Sequence, residues 1–285
     1  MITWKIWQQL KNPVSRHPLV WRVVKEHARM PYPPLGPGLQ FLCGMGLCVS
    51  MLSPIGLIFS GLLFLLVTNS TAYTAFWAAG TSGRIARLQT NDQYDLICAA
   101  PGGKFSLHWA VCTGVLHRDN RLDMIHTVLR VLLLIVLGII LLTLFSSLSV
   151  GRQDWGRTAL ALLNTLGLLI AVYMDHIQSV VCGSVVGMLV PLYIRRPLDA
   201  RIAAVALYVL VQTFGYVPAI LAAIDGVNII FADSDQAVLM TAARLLVFVG
   251  IREAIIAGLW RWLLNRSEAT PEHATSPFTA GVFVP

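Results

Sequence analysis

The sequence predicts an all-α fold: a polytopic transmembrane helical bundle of about six spans, with an N-terminal amphipathic interfacial helix and a cytoplasmic helical loop. The first observation is composition, since 56% of the residues are hydrophobic and 12% are charged, whereas soluble domains average about a quarter charged residues. The second is a series of uncharged stretches that reach, or combine to reach, the roughly 20 residues of a spanning helix. The third is the clustering of Lys and Arg between particular stretches.

Two arrangements of the spans fit these stretches, and they differ in residues 157–194. That segment is interrupted only by Asp175 and His176, so it is either one crossing with a continuation or two short crossings. A six-span chain places 17 Lys and Arg in the cytoplasm and 2 outside, whereas a seven-span chain places 12 and 7. Cytoplasmic loops of membrane proteins carry the excess of Lys and Arg. The sequence therefore favours six spans in the cell membrane, with the N-terminus in the cytoplasm.

Changes in composition divide the predicted chain into three parts. Residues 1–37 form a cytoplasmic amphipathic elbow segment, because tryptophans and basic residues alternate there as in an interfacial helix. A transmembrane domain follows at 38–264, and a polar tail at 265–285. Within the transmembrane domain the predicted spans are 39–53, 55–79, 128–148, 158–180, 202–224 and 237–264, with a cytoplasmic helical region at 81–127.

No pattern in the sequence predicts catalysis, a metal or a cofactor. The GxxxxGK[ST] loop, HExxH and GxSxG are all absent, so we expect neither nucleotide hydrolysis nor another enzyme activity. The five cysteines are scattered without a CxxC pair and are interpreted as small apolar fillers. The net charge of +7 follows from the positive-inside bias, so no nucleic-acid partner is expected. Axial ligation of a haem or pigment by His126 and His176 stays open as an alternative.

Ionisable residues inside predicted spans are candidate functional residues, because a charge in lipid is costly. Asp175 and His176 lie together in the 158–180 span. They form either a solvated helix end or a site that moves protons or cations. In the last span Arg244 and Arg252 share a helix face, and Glu253 is adjacent. These residues either belong to a buried structural network or contact an anionic headgroup or substrate.

Two cytoplasmic segments resemble permease subunits of ABC transporters of the ABC-2 type. Residues 12–14 and 17–29 are similar to the amphipathic elbow helix of that family. Residues 91–101 are similar to the family motif between the second and third spans, and 252–261 are similar to the last helix of some members. The motif residues that match in order and spacing are Tyr94, Asp95, Leu96 and Pro101.

The resemblance implies a permease without its own ATPase that pairs with a separate nucleotide-binding subunit. Such permeases work in the lipid bilayer as homo- or heterodimers. The coupling segment would be 84–116, with Tyr94, Asp95, Leu96 and Pro101 contacting the ATPase. We expect the apolar side chains of this segment to be exposed for docking, since a buried side chain cannot anchor a partner.

Other interpretations of the same residues remain open. The polar region after the second span can instead be a packed loop that covers the bundle. The whole chain can be a structural or accessory subunit of a larger membrane complex, which would use the same surfaces for assembly. A membrane enzyme is a third alternative, although the chain lacks a catalytic constellation.

Overall fold

All described parts of the chain are helical apart from short turns, and no strand occurs among them. The all-α prediction is therefore confirmed for these residues. The predicted spans 39–53 and 128–148 fall outside them, except for two single positions of the second. The computed structural model describes residues 1–11, 55–90, 93–98, 103–117, 134, 138, 155–227 and 237–267.

The helices differ greatly in length, and the long ones overlap the predicted apolar stretches, although two of them extend well beyond the predicted spans. A 3-10 turn at Val190–Leu192 joins α5 to α6, and a π-helical turn at Ala222–Gly226 follows α6. The α-helices are α1 (Ile2–Lys11), α2 (Ile55–Gln89), α3 (Gln93–Cys98), α4 (Gly103–His117), α5 (Trp155–Leu189), α6 (Pro197–Leu221) and α7 (Ala237–Arg266).

Helix α5 is unbroken at Asp175 and His176, where the seven-span alternative requires the chain to reverse. Most residues of α5 are apolar or small, and the helix contains no proline that would interrupt it. Pro191 instead marks the end, inside the 3-10 turn that leads to α6. The number of membrane crossings stays a prediction.

Helices α2 and α5 run parallel and pack along small residues. A Cβ atom on Gly187 would lie 3.1 Å from the carbonyl oxygen of Ala78 and 3.1 Å from Cβ of Thr81. One turn earlier, a Cβ atom on Gly183 would lie 3.1 Å from the carbonyl oxygen of Thr74 and would overlap the methyl group of that residue. Small residues at four-residue spacing let two helix backbones approach closely. This seam brings the middle of α2 against the second half of α5.

Helix α4 is buried on every side, because all its residues from Phe105 to Leu116 are buried. Its apolar residues do not favour one face, and a helix of that kind must be surrounded by protein or lipid. Phe105 and Trp109 stack edge-on against Trp260 of α7, with ring centroids 5.6 and 6.0 Å apart. Gly103 begins the helix with a φ of 60°, a left-handed conformation that suits glycine.

Helix α6 turns small and polar residues inward and large apolar residues outward. Its buried residues recur every three or four positions, as one helix face requires. They are Ala200, Ala204, Tyr208, Gln212, Gly215 and Ala219. The exposed face carries Leu198, Ile202, Val209, Leu210, Phe214, Val217, Ile220 and Leu221.

Two helical stretches among the described residues are long and apolar enough to cross a membrane: Leu169–Leu192 and Pro197–Gly226. The first is largely buried inside the bundle, and the second is largely exposed. A buried core helix of a soluble protein meets the same criterion of length and composition, so the exposed second stretch is the more informative.

Candidate functional site

A polar centre lies where α5, α6 and α7 meet in the interior of the bundle. Asp175 of α5 forms an ion pair with Arg252 of α7, and each side chain is 4% exposed. Arg252 Nη2 also donates to Ser179 Oγ at 3.1 Å and to Gln212 Oε1 at 3.0 Å. The two opposite charges are therefore paired with each other and hydrogen-bonded to neutral groups, as buried charges require.

Two tyrosines of α6 complete the polar centre. Tyr216 donates its hydroxyl proton to Asp175 Oδ1 at 2.7 Å, and its ring lies 4.4 Å from the guanidinium carbon of Arg252. Gln212 Nε2 donates to the Tyr208 hydroxyl at 2.7 Å and to Ser179 Oγ at 3.1 Å. Tyr208, Gln212 and Tyr216 are four residues apart, so they share one face of α6.

The arrangement links three helices through charged and polar groups, and it holds them in one register. A shift of α5 against α7 must break the pair between Asp175 and Arg252 or carry both residues along. The polar centre therefore opposes movement of α5 relative to α7.

The sequence neighbours of the ion pair face a different helix. His176 Nδ1 lies 2.7 Å from Ser70 Oγ of α2, and its ring packs edge-on against Trp7 of α1. Glu253 Oε1 accepts a hydrogen bond of 3.0 Å from the backbone N–H of Thr3. Consecutive residues on a helix point about 100° apart. Asp175 and Arg252 therefore face α6, whereas His176 faces α1 and α2 and Glu253 faces α1.

The other predicted intramembrane residues have varied positions. Arg252 faces the interior, as expected for a charge in an apolar helix, whereas Arg244 is half-buried on α7. His126, the second candidate haem ligand, lies outside the described residues. No group of three His, Cys, Asp or Glu side chains that could hold a metal ion occurs in the described ranges.

Tyr94 is buried, so the prediction that it is exposed for docking is wrong. It is 9% exposed, and its hydroxyl oxygen lies 3.0 Å from Nε2 of His108 on α4. The physical reason is that α4 is apolar on all sides and must be covered, and α3 packs onto it with Tyr94 turned inward. Tyr94 therefore positions α3 against α4 and α2.

Burial keeps both partners of this hydrogen bond neutral. It raises the pKa of Tyr94 to about 12 and lowers the pKa of His108 to about 4. An unfolded imidazole takes up its proton near pH 6.5, above the value for the folded chain. The contribution of His108 to the free energy of unfolding is therefore fully present above pH 6.5, and it is lost as the pH falls toward 4.

The remaining motif residues divide between exposed and undescribed positions. Asp95 is exposed on α3 and Lys104 is exposed at the start of α4. Leu96 lies within α3, but its side chain is not among those described. Pro101 lies outside the described residues. Among the described side chains of α3, the exposed one is therefore that of Asp95.

Sequence reasoning singled out Asp175 and Arg252 by charge but missed the neutral residues of the polar centre. Ser179, Gln212 and Tyr208 carry no charge, and the 202–224 stretch was interpreted as an uncharged span. The available signal was the four-residue spacing of polar side chains in an otherwise apolar helix. Comparison with protein-family models, with characterised proteins and with solved structures finds no match to this chain.

Proposed function

We propose that this chain is the membrane-spanning permease subunit of an ABC-type transporter, energised by a separate ATPase subunit through the segment 84–116. The bundle would lie in the cell membrane, with about six crossings and the N-terminus in the cytoplasm. The proposal joins the sequence resemblance to two structural observations, one for the membrane and one for the coupling of the segment to the bundle.

The outward apolar face of α6 carries the membrane part of the proposal. Phe214 is 68% exposed and Leu198 is 66% exposed, although both are large apolar residues. A soluble monomer rarely exposes a contiguous apolar patch of more than a few hundred Å2. The helix that exposes them covers about 38 Å at 1.5 Å per residue, enough to cross a hydrocarbon core of about 30 Å. Lipid is the solvent that such a face fits.

The rigid attachment of α3 supports the coupling part. Helix α3 lies at the end of α2 and packs on both α2 and α4, where Tyr94 bonds to His108. Helix α4 in turn packs against α5 and against Trp260 of α7. A force on the exposed side of α3 would therefore reach the long helices through packed side chains. Tyr94 acts in this scheme as a positioning residue, and Asp95 belongs to the contact surface.

Movement of α3 would be transmitted through α2 to the polar centre. Helix α2 reaches it through Ser70, which contacts His176 next to Asp175. Tilting α2 and α5 against α7 would strain the ion pair of Asp175 and Arg252. Rigid-body movement of helices between two packings is the general basis of alternating access.

The alternative is a structural or accessory subunit of a larger membrane complex. The burial of α4 and Tyr94 is compatible with it, because a packed loop needs no moving partner. The two proposals differ in the identity of the partner that contacts α3.

Co-purification in mild detergent tests the proposal. The wild-type chain is expected to retain an ATPase subunit. Asp95→Arg should reduce that retention at least tenfold, because charge reversal at an interface places like charges together. The matched control is Asp225→Arg, which reverses another exposed aspartate in the turn after α6. It should retain the ATPase fully.

Three results would contradict the proposal. One is recovery of a stable complex that contains no ATPase, which favours the accessory subunit. Another is equal retention by the Asp95→Arg and Asp225→Arg variants. The third is a marked loss of thermal stability by Asp95→Arg that accompanies the loss of the partner. That result would mean that Asp95 stabilises the fold and does not contact the ATPase.

A further inference from the structure

An aromatic and basic cluster lies where the lateral surface of α7 meets the turn between α5 and α6. The Tyr193 hydroxyl oxygen accepts hydrogen bonds of 2.8 Å from Trp262 Nε1 and of 2.8 Å from Arg266 Nε. The Tyr193 ring lies 5.9 Å from the Trp262 ring and 5.1 Å from the guanidinium carbon of Arg266. The three side chains thus form one connected group, although all three are exposed.

The cluster continues an apolar surface. Every fourth residue of α7 from Ala242 to Arg266 is exposed, and those before Trp262 are apolar or glycine. The order along the helix is therefore apolar, then tryptophan, then arginine. Aromatic side chains take such positions at the level of lipid headgroups, between hydrocarbon and water. An acidic protein surface could pair with Arg266, but it would leave the exposed apolar residues of α7 that precede Trp262 uncovered.

The charges around the cluster are mostly positive. Arg195 and Arg196 follow Tyr193 in the exposed turn, and Arg261 is exposed on α7 beside Trp262. Glu268, two residues after Arg266, lies outside the described residues. Among the described residues, the acidic residue nearest in sequence is Asp199, which is exposed in the first turn of α6. Arg266 is exposed, and among the described residues it forms no hydrogen bond besides that of Nε to Tyr193, so its terminal nitrogens are available to a ligand. An arginine presents paired N–H donors that match a phosphate.

We propose that Tyr193, Trp262 and Arg266, together with Arg195 and Arg196, form a binding site for the phosphate-bearing headgroup of an anionic phospholipid. Tyr193 holds the tryptophan and the arginine in a fixed relative position. Arg266 binds the phosphate, and Trp262 contacts the glycerol and upper acyl region of the same lipid. The inference rests on the membrane embedding proposed above, but not on pairing with an ATPase.

Lipid binding to the full chain in neutral detergent tests this site. Phosphatidylglycerol and phosphatidylcholine are added at equal concentration, and bound lipid is counted by native mass spectrometry. The wild-type chain is expected to prefer phosphatidylglycerol. Arg266→Gln should reduce that preference by about fivefold, the change expected for one basic residue at an anionic surface. Arg87→Gln, which removes an exposed arginine on α2, should leave it unchanged.

A second variant guards against a folding defect. Arg195→Gln/Arg196→Gln alters exposed residues at and next to an extended turn and should also weaken the preference for phosphatidylglycerol. Tyr193→Phe removes the shared hydroxyl, so it should lower the preference while keeping every charge. Thermal unfolding without added lipid verifies that each variant folds.

Several outcomes would overturn the site. The wild-type chain can bind both lipids equally, or Arg87→Gln can reduce the preference as much as Arg266→Gln does, which would indicate a diffuse charge effect. Arg266→Gln can instead lose a protein partner while lipid binding is unchanged, and then the cluster docks a protein. Lipid preference without a co-purified ATPase would retain this inference and contradict the transporter. A chain that stays in solution without detergent would overturn both.

Discussion

The ion pair between Asp175 and Arg252 lies in a place where charges are costly. Both side chains are almost fully buried, and both are surrounded by hydroxyl and amide groups of α5 and α6. Attraction between buried charges often only offsets the cost of removing them from water. The pair therefore contributes to the choice of one helix register more than to the free energy of unfolding.

Removing one partner of the pair should be more harmful than removing both. Arg252→Met leaves Asp175 as an unpaired buried charge, and we expect it to destabilise the bundle by about 3–5 kcal/mol. Asp175→Leu/Arg252→Met should recover most of this loss, since apolar replacement of a buried pair is often neutral or stabilising by about 1–4 kcal/mol. Thermal or denaturant unfolding in detergent gives both values.

Arg261→Met is the matched control for the single change, because Arg261 is an exposed arginine on the same helix. It should shift stability by less than about 0.5 kcal/mol. Equal destabilisation by the single and double variants would refute the compensation argument. It would indicate that the two residues act through separate contacts.

At the level of helices, the seam between α2 and α5 is set by glycine. The space at Gly187 is closed by the backbone and side chain of two α2 residues, so a larger residue cannot be accommodated without moving a helix. Gly250 of α7 offers the opposite case, because a Cβ atom there would meet nothing within 4 Å. The two glycines are similar in sequence context but differ in what surrounds them.

Gly187→Leu should destabilise the bundle by about 1–3 kcal/mol, the usual cost of overpacking. Gly250→Leu should leave stability unchanged or raise it by about 0.5–1 kcal/mol, because leucine is the better helix former. The midpoint of thermal unfolding of both variants under one condition decides this. A loss at Gly250 as large as that at Gly187 would mean that the exposed face of α7 is packed against another chain.

Across the whole molecule, the structure ties two loops to one end of the bundle. Tyr193 at the end of α5 contacts Arg266 at the end of α7, so Arg196 and Ser267 lie at the same end. Any membrane topology must place these two positions on the same side. In the six-span arrangement that side is the cytoplasm, and in the seven-span arrangement it is the exterior.

Cysteine labelling of intact cells separates the two arrangements. With six spans, Arg196→Cys and Ser267→Cys should resist an impermeant outside reagent, whereas Ser234→Cys in the preceding loop should react. All five native cysteines are first replaced by alanine, so that the introduced cysteine is the one that can react. Labelling at 196 and 267 together would support seven spans and would contradict the unbroken α5. Labelling at one of them alone would contradict the fold.

The sequence by itself determined the helical class and the long helices. Predicted stretches at 202–224 and 237–264 correspond closely to α6 and α7, because apolar composition and charged flanks are local signals. The 55–79 stretch shares its start after Pro54 with α2, but α2 continues to Gln89, inside the region predicted as a cytoplasmic segment. The sequence also identified Asp175 and Arg252 as candidate functional residues, since a charged residue within an apolar stretch can be recognised without a structure.

Only the tertiary structure decided which residues meet. The pairing of Asp175 with Arg252 depends on the relative rotation of α5 and α7, which no local pattern encodes. The burial of Tyr94 was mispredicted for a related reason. The exposure of Tyr94 depends on which helices cover α4. The sequence of α4 is apolar on all sides, so it shows that α4 must be covered but does not show by which helices.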